Sequence, residues 1–174
     1  MPVRWRYALI PSDAAAVREL VSTTGFFSPE EEDIAVELVN ETLLNGHTVS
    51  GYEFVFADDP GQPGRLLGYA CFGPIPGTVS SFDLYWIAVA PGLQGRGLGR
   101  DLIRESERLA VAMGATRMFV DTSGRSQYQP TRAFYERMGY REEGRLVDFY
   151  APGDDKVIYA RDLANQPRSL VVEE

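Results

Sequence analysis

The sequence predicts an α/β domain, a mixed sheet with helices on both faces. Three observations carry that prediction. Short strand-like runs alternate with helical patterns in the order βααβββαβαββ. A strand-like run over Phe82 to Val89 enters a glycine-rich turn that opens a helix. No internal repeat or linker interrupts the pattern, so residues 1–164 read as one domain and residues 165–174 as a loose tail.

The elements follow in order. Val3 to Ile10 alternates as a strand, and Ser12 is placed to cap a helix over about Asp13 to Thr23. Ser28-Pro29-Glu30-Glu31 is a capping box with proline at N1, opening a helix that runs to about Leu44 and is closed by Gly46. Glu30, Glu31, Glu32 and Asp33 crowd its first turn, where the helix dipole favours negative charge. Tyr52 to Ala57 and Arg65 to Phe72 read as strands around a D-D-P-G-Q-P-G loop. After the strand Phe82 to Val89, the helix Leu98 to Met113 places Leu102, Ile103, Ser106, Leu109, Ala110 and Met113 on one stripe. Arg117 to Asp121 is a short strand and Pro130 to Arg137 a short helix. Tyr140 to Tyr150 and Lys156 to Asp162 are strands joined by a P-G-D-D turn.

Composition narrows the function. A 44% hydrophobic, 11% aromatic chain is globular rather than disordered. A formal charge of −8, from 25 acids against 17 bases, argues against nucleic acid as a partner and leans toward an amine-bearing one. The single cysteine, Cys71, rules out a disulfide within the chain and reads as a buried strand thiol. His47 is the only histidine and reads as a solvated loop residue, so no zinc site of the usual kind is expected. The start M-P-V-R-W-R lacks the apolar core of a secretory signal, and no run is long enough to span a membrane. A cytoplasmic location is the expectation.

The glycine-rich turn, V-A-P-G-L-Q-G-R-G-L-G-R over Val89 to Arg100, carries the chemistry. Alternating Gly95, Gly97 and Gly99 strip the backbone of side chains, so a ligand can approach it closely. Amides at a helix start favour an anion, and the dipole adds to this. Arg96, Arg100 and Arg104 recur every four residues, and the first of them oppose the dipole unless a polyphosphate answers them. A phosphate loop for nucleotide hydrolysis would need Gly-Lys-Ser/Thr, but Gly99-Arg100-Asp101 stands there. A dinucleotide fingerprint would need its third glycine one residue later.

Val89-x-Pro91-x-x-Gln94-Gly95-x-Gly97-x-Gly99 resembles the acyl-CoA-binding motif of the GNAT superfamily of N-acetyltransferases. Ala133-Phe134-Tyr135-Glu136-Arg137-Met138-Gly139-Tyr140 is similar to the late helix of that family, and the likeness covers residues 3 to 163. The resemblance implies a mostly antiparallel central sheet and acetyl-CoA as cofactor. Its pantetheine arm would lie along Ile87, Ala88 and Val89, with its pyrophosphate on the amides of Gln94, Gly95, Arg96, Gly97, Leu98, Gly99 and Arg100. A backbone N–H of the strand end would polarise the thioester carbonyl. Tyr135 matches the tyrosine that protonates the departing sulfur, and a phenol with pKa ~10 is protonated at neutral pH. Phe134 would then fill the core in its place.

The general base stays open. Asp121 takes the position where some members have a glutamate, and Asp83, Glu30, Glu31 and Asp148 are alternatives, as is ordered water without a single base. Where the family often has an asparagine contacting the cofactor this chain has Tyr128, inside a longer T-S-G-R-S-Q-Y-Q-P segment; Ser123 and Ser126 are other candidates for that contact.

The reading is an N-acetyltransferase that passes acetyl from acetyl-CoA to a primary amine of a small molecule or peptide, by direct attack in a ternary complex. Neither nucleic acid nor membrane is expected as a partner, and a homodimer is left open. The rival is a catalytically silent acyl-CoA-binding module of the same fold, against which the intact Tyr135 and glycines argue. Trp86, Tyr85, Phe26 and Phe27 are read equally as an aromatic acceptor pocket or as core.

Overall fold

The computed structural model describes residues 2–164, and the expected tail over 165–174 lies outside them. The elements are β1 (Arg4–Arg6), α1 (Asp13–Thr23), α2 (Pro29–Asn45), α3 (His47–Ser50), β2 (Glu53–Asp58), β3 (Leu66–Pro74), β4 (Ser81–Val89), α4 (Leu98–Ala112), β5 (Arg117–Ser123), α5 (Gln129–Arg137), β6 (Arg141–Ala151) and β7 (Asp154–Asp162), with a 3₁₀ turn over Ser126–Tyr128. The strands order as β1-β2-β3-β4-β5-β7-β6 in a seven-stranded sheet. β1/β2, β2/β3, β5/β7 and β6/β7 pair antiparallel, and β4/β5 pairs parallel. The predicted mixed, mostly antiparallel α/β fold is therefore what the chain forms.

The described residues divide into two compact units, 2–73 with Trp86–Ser106, and Pro74–Tyr85 with 107–164. In the first, Val17, Leu20 and Val21 of α1, Val36 and Val39 of α2, and Phe54, Phe56, Tyr69 and Phe72 of the strands are buried. The capping box forms as the sequence demands: Glu31 N–H donates to Ser28 Oγ at 3.2 Å and Ser28 N–H to Glu31 Oε2 at 2.8 Å. Gly68 holds its place by space, because a Cβ there would sit 2.9 Å from the Ala88 carbonyl and from Leu102 Cδ1.

Three sequence expectations fail here. The first strand is only Arg4–Arg6, because the Arg6 guanidinium draws the following chain inward onto the Ala8 carbonyl (2.8 Å) and the Asp13 carboxylate (2.8 Å twice). Ser12 does not cap α1; its backbone is already helical, and Asp13 accepts the Ile10 N–H at 2.8 Å instead. His47 is not a loop residue. It begins the one-turn α3, half-buried, with Nδ1 2.9 Å from the Tyr52 carbonyl and 3.0 Å from Glu53 Oε2.

Arg6 also forks onto both oxygens of Asp58 at 2.9 and 3.0 Å. Burial alone would raise the Asp58 carboxyl, but the Arg6 and Arg4 guanidinium groups override this and hold it below the ordinary carboxylate value. Removing one partner from such a buried set typically costs about 3–5 kcal/mol, since the other charge is left uncompensated.

The second unit is built on β5 and β7, paired from Arg117↔Asp162 to Ser123↔Lys156, over buried Met118, Val120, Tyr135, Tyr140, Val157 and Tyr159. The expected apolar stripe of α4 is only partly right. Leu102, Ile103, Ser106 and Ala110 are fully buried, but Met113 is 48% exposed and Glu107 is buried instead. The Glu107 carboxylate accepts from Tyr140 Oη at 2.9 Å and from Arg161 Nη1 at 2.8 and 3.0 Å, which supplies the hydrogen bonds a buried charge requires.

Candidate active site

In the first unit, β4 ends at Val89 and α4 starts at Leu98, with a tight glycine turn between them. Leu93 N–H donates to the Ala90 carbonyl at 3.1 Å and Arg96 N–H to the Leu93 carbonyl at 3.4 Å. Gly92, Gly95 and Gly97 take φ of 80°, 73° and 92°, which side-chain-bearing residues avoid. The helical ladder begins where Asp101 N–H reaches the Gly97 carbonyl at 3.0 Å. The amides of Leu98, Gly99 and Arg100 precede it, in the first turn where an anion is favoured. Ala88 and Leu98 are buried, Ile87, Val89, Gly97 and Gly99 half-buried, and Gln94, Gly95, Arg96 and Arg100 exposed. The surface of the turn is thus backbone, guanidinium groups and the Gln94 amide.

Arg100 is held by Asp101, Nε to Oδ1 at 2.9 Å, with its guanidinium 3.2 Å from where a Gly97 Cβ would lie. If the turn holds a pyrophosphate, Arg96→Ala and Arg100→Ala should each weaken coenzyme A binding, with charge-assisted contacts worth ~1.5–3 kcal/mol. A pantetheine fragment lacking the nucleotide should bind as before. Calorimetry with both ligands checks this, and equal losses would assign the arginines to the surface.

The second unit holds the titratable candidates. Asp83 of β4 lies in the short parallel ladder Ser81↔Arg117, Phe82↔Met118, Asp83↔Phe119. It is half-buried, and its carboxyl is pushed up to about 6 by burial first and the neighbouring Asp121 charge second, against the pull of Lys156. Asp121 itself is bound by Lys156, Nζ to Oδ2 at 2.6 Å, and its side chain is 37% exposed. The Lys156 ammonium lies 4.9 Å from the Phe149 ring centroid. Lys156 is not singled out by the sequence; the P-G-D-D turn signals only the β6–β7 hairpin, and the pairing of β7 with β5 that brings Lys156 to Asp121 is long-range.

Two other acids are already occupied. Glu31 closes the capping box. Asp148 sits at φ 54°, where its carboxylate accepts the Gly153 N–H at 2.7 Å and shapes the β6–β7 turn. Ser123 is likewise engaged: its hydroxyl donates to Asp154 and accepts the Arg125 N–H at 3.1 Å. Tyr128 ends the 3₁₀ turn, half-buried, with the Arg125 guanidinium 5.6 Å from its ring centroid.

Tyr135 is only 4% exposed, with ring centroids 6.0 Å from Tyr140 and 6.2 Å from Tyr159. Phe134 is half-buried, so the expected exchange of places is reversed: the tyrosine fills the core and the phenylalanine lies nearer the surface. The physical reason is that position 135 of α5 packs against Tyr140 and against Tyr159 of β7. Burial pushes the Tyr135 phenol well above its ordinary value, so it keeps its proton.

Cys71 is fully buried in β3, and burial, with Glu53 adding to it, pushes its thiol well up, so it is no nucleophile. Among the described residues no three His, Cys, Asp or Glu side chains group as metal ligands, and no helix is long and apolar enough to cross a membrane.

The glycine turn and the late tyrosine helix are matched by known proteins. The model of the acetyltransferase (GNAT) family matches residues 15–140. A solved structure from Desulfovibrio desulfuricans, assigned to the GNAT family of acetyltransferases, is 48% identical over 94% of this chain and 100% of its own, with a TM-score of 0.89. An aminoglycoside 6'-N-acetyltransferase complexed with coenzyme A shares the fold at 19% identity and a TM-score of 0.74, over 96% of this chain and 99% of its own. The Escherichia coli ribosomal-protein-S18-alanine N-acetyltransferase shares it at 20% identity and a TM-score of 0.68, over 96% and 99%. With one family model spanning both sequence motifs and nearly half the residues of a family structure identical, the chain belongs to the GNAT family of acetyltransferases.

Proposed function

We propose that this chain is an acetyl-CoA-dependent N-acetyltransferase acting on a primary amine of a small molecule or peptide, by direct attack in a ternary complex, with residues 1–164 as one catalytic domain. The observation that carries the reading is the glycine turn, whose positive-φ glycines and first-turn amides suit a pyrophosphate. The family uses acetyl-CoA, and a neighbour of the same fold is complexed with coenzyme A. Ile87, Ala88 and Val89 would take the pantetheine, and Gln94 to Arg100 the phosphates.

The amine must lose a proton and the thiolate gain one. The amine nitrogen bonds to the acetyl carbon, the carbon–sulfur bond breaks, and an amide and coenzyme A leave. In this reading the base role falls to Asp83 rather than to Asp121. Lys156 already holds Asp121 in an ion pair, whereas burial first and the neighbouring Asp121 second raise the Asp83 carboxyl. Tyr135 donates a hydrogen bond to the departing sulfur, and the proton that the thiolate finally takes from solvent balances the one Asp83 accepts from the amine. A buried, neutral Cys71 leaves no acyl-cysteine step to compete with direct attack. A single buried thiol also suits a cytoplasmic location.

The test is thiol release from acetyl-CoA across a panel of amines. Turnover of any amine supports the reading; tight coenzyme A binding with no turnover of any would leave a silent acyl-CoA module. For a productive amine, kcat/KM should fall as the pH drops through about 6, because Asp83 accepts no proton once it is protonated. Asp83→Asn should cost ~10²–10⁴-fold in kcat and remove that acid limb. An unchanged limb in the variant would take the base role away from Asp83.

A further inference from the structure

Two buried hydrogen-bonding atoms in the first unit have no partner among the described residues: Trp86 Nε1 on β4 and Tyr69 Oη on the neighbouring β3. Tyr69 is fully buried, beside Phe56 at 6.3 Å between ring centroids. Its side chain points away from α4, since the adjacent Gly68 is the residue that meets Leu98 and Leu102. An indole N–H only donates, so it calls for an oxygen, and a buried donor left without one is costly.

Trp86 is also the inner end of an aromatic ladder. Its ring lies 5.0 Å from Phe27, and Phe27 lies 5.6 Å edge-on to Phe26, which is 37% exposed. Both phenylalanines belong to the α1–α2 connection. The ladder thus runs from solvent to a buried donor and carries no charge of its own. Its inner rung immediately precedes Ile87, the first residue assigned to the pantetheine arm. Trp86 thus lies on the strand expected to take the pantetheine, one residue before the stretch assigned to it.

We propose that the acceptor is an apolar amine that also bears a carbonyl or carboxylate oxygen, docked on Phe26–Phe27–Trp86 with that oxygen on the Trp86 indole N–H. This deepens the N-acetyltransferase reading and rests on it. It favours a substrate such as an aromatic amino-acid amide over a polycation, for which the ladder offers stacking but no paired charge.

Matched amines provide the test: phenylalanine amide and phenethylamine differ in the carboxamide alone. With the intact enzyme, kcat/KM should favour the amide by about 10- to 100-fold, the usual penalty for leaving a buried donor unpaired. Trp86→Phe keeps a ring and removes the donor, so the preference should collapse while acetyl-CoA affinity holds. Equal kcat/KM for the two amines, or a variant that lowers both alike, would overturn the proposal. A second measurement needs no turnover: the ¹⁵N indole signal of Trp86, identified by its loss in the variant, should move on adding phenylalanine amide and far less with phenethylamine. The indole of Trp5, the other tryptophan, is the internal control. A still Trp86 signal overturns the docking. A shifted signal with no thiol released from any amine would keep the docking and sink the transferase reading instead.

Discussion

Tyr135→Phe is expected to lower kcat by ~10²–10⁴-fold while leaving acetyl-CoA affinity nearly unchanged. The substitution removes one hydroxyl from a ring held among Phe134, Tyr140 and Tyr159, so the packing survives. A phenol raised by burial stays protonated across the working range and offers its hydrogen to the sulfur as charge develops there. It also stays above the ordinary thiol value of ~8.5, so donation to the thiolate is a hydrogen bond that strengthens in the transition state. Two signatures follow. Acetyl-CoA affinity by calorimetry should match the wild type, and loss of the hydroxyl should leave the acid limb assigned to Asp83 in place. A variant that turns over near the wild-type rate would return Tyr135 to a purely packing role, which its 4% exposure would equally explain.

What could be read from the sequence divides by range. Signals carried by neighbours in the chain were legible. Ser28, Pro29 and Glu31 encode a capping box within four residues, and it forms. Val89 to Arg100 encodes a strand, a turn and a helix start, because its glycines are needed wherever the backbone takes positive φ. Signals carried across the fold were not. Glu107 looks like a solvated position on α4, but Tyr140 and Arg161, from β6's approach and from β7, make it a satisfied buried charge. Ser12 looks like a cap, but its backbone is already helical and its side chain makes no capping bond, while Arg6, on the separate strand β1, engages Asp13. The basicity of Asp83 comes from burial first and from Asp121 second, against the pull of Lys156, and strand pairing sets those surroundings: Asp83 registers with Phe119 on β5, and Lys156 of β7 with Ser123. Sequence alone puts Asp121 first, with Asp83 among several alternatives.

Gly97→Glu should abolish measurable coenzyme A binding, the largest effect on the cofactor that one substitution in the turn can have. Three effects act in the same direction. At φ 92° any side chain is strained, and such a backbone conformation costs about 1–3 kcal/mol. A Cβ at 97 would lie 3.2 Å from the Arg100 Nη2, so the guanidinium must shift or pair with the new carboxylate, and either removes it from a phosphate. The carboxylate itself would lie beside the first-turn amides and repel the incoming pyrophosphate. Gly97→Ala separates these contributions, since it carries the strain and the crowding without the charge. It should weaken coenzyme A by about 10- to 100-fold, following that strain, whereas the glutamate should leave no detectable heat of binding. Both variants should stay folded by circular dichroism, because the turn lies outside the buried core of the first unit. If folded Gly97→Glu binds coenzyme A as the wild type does, the phosphates are not held at this turn. The assignment of Gln94 to Arg100 would then fall, and the proposed roles of Ile87, Ala88 and Val89, which rest on the same cofactor placement, would lose their support.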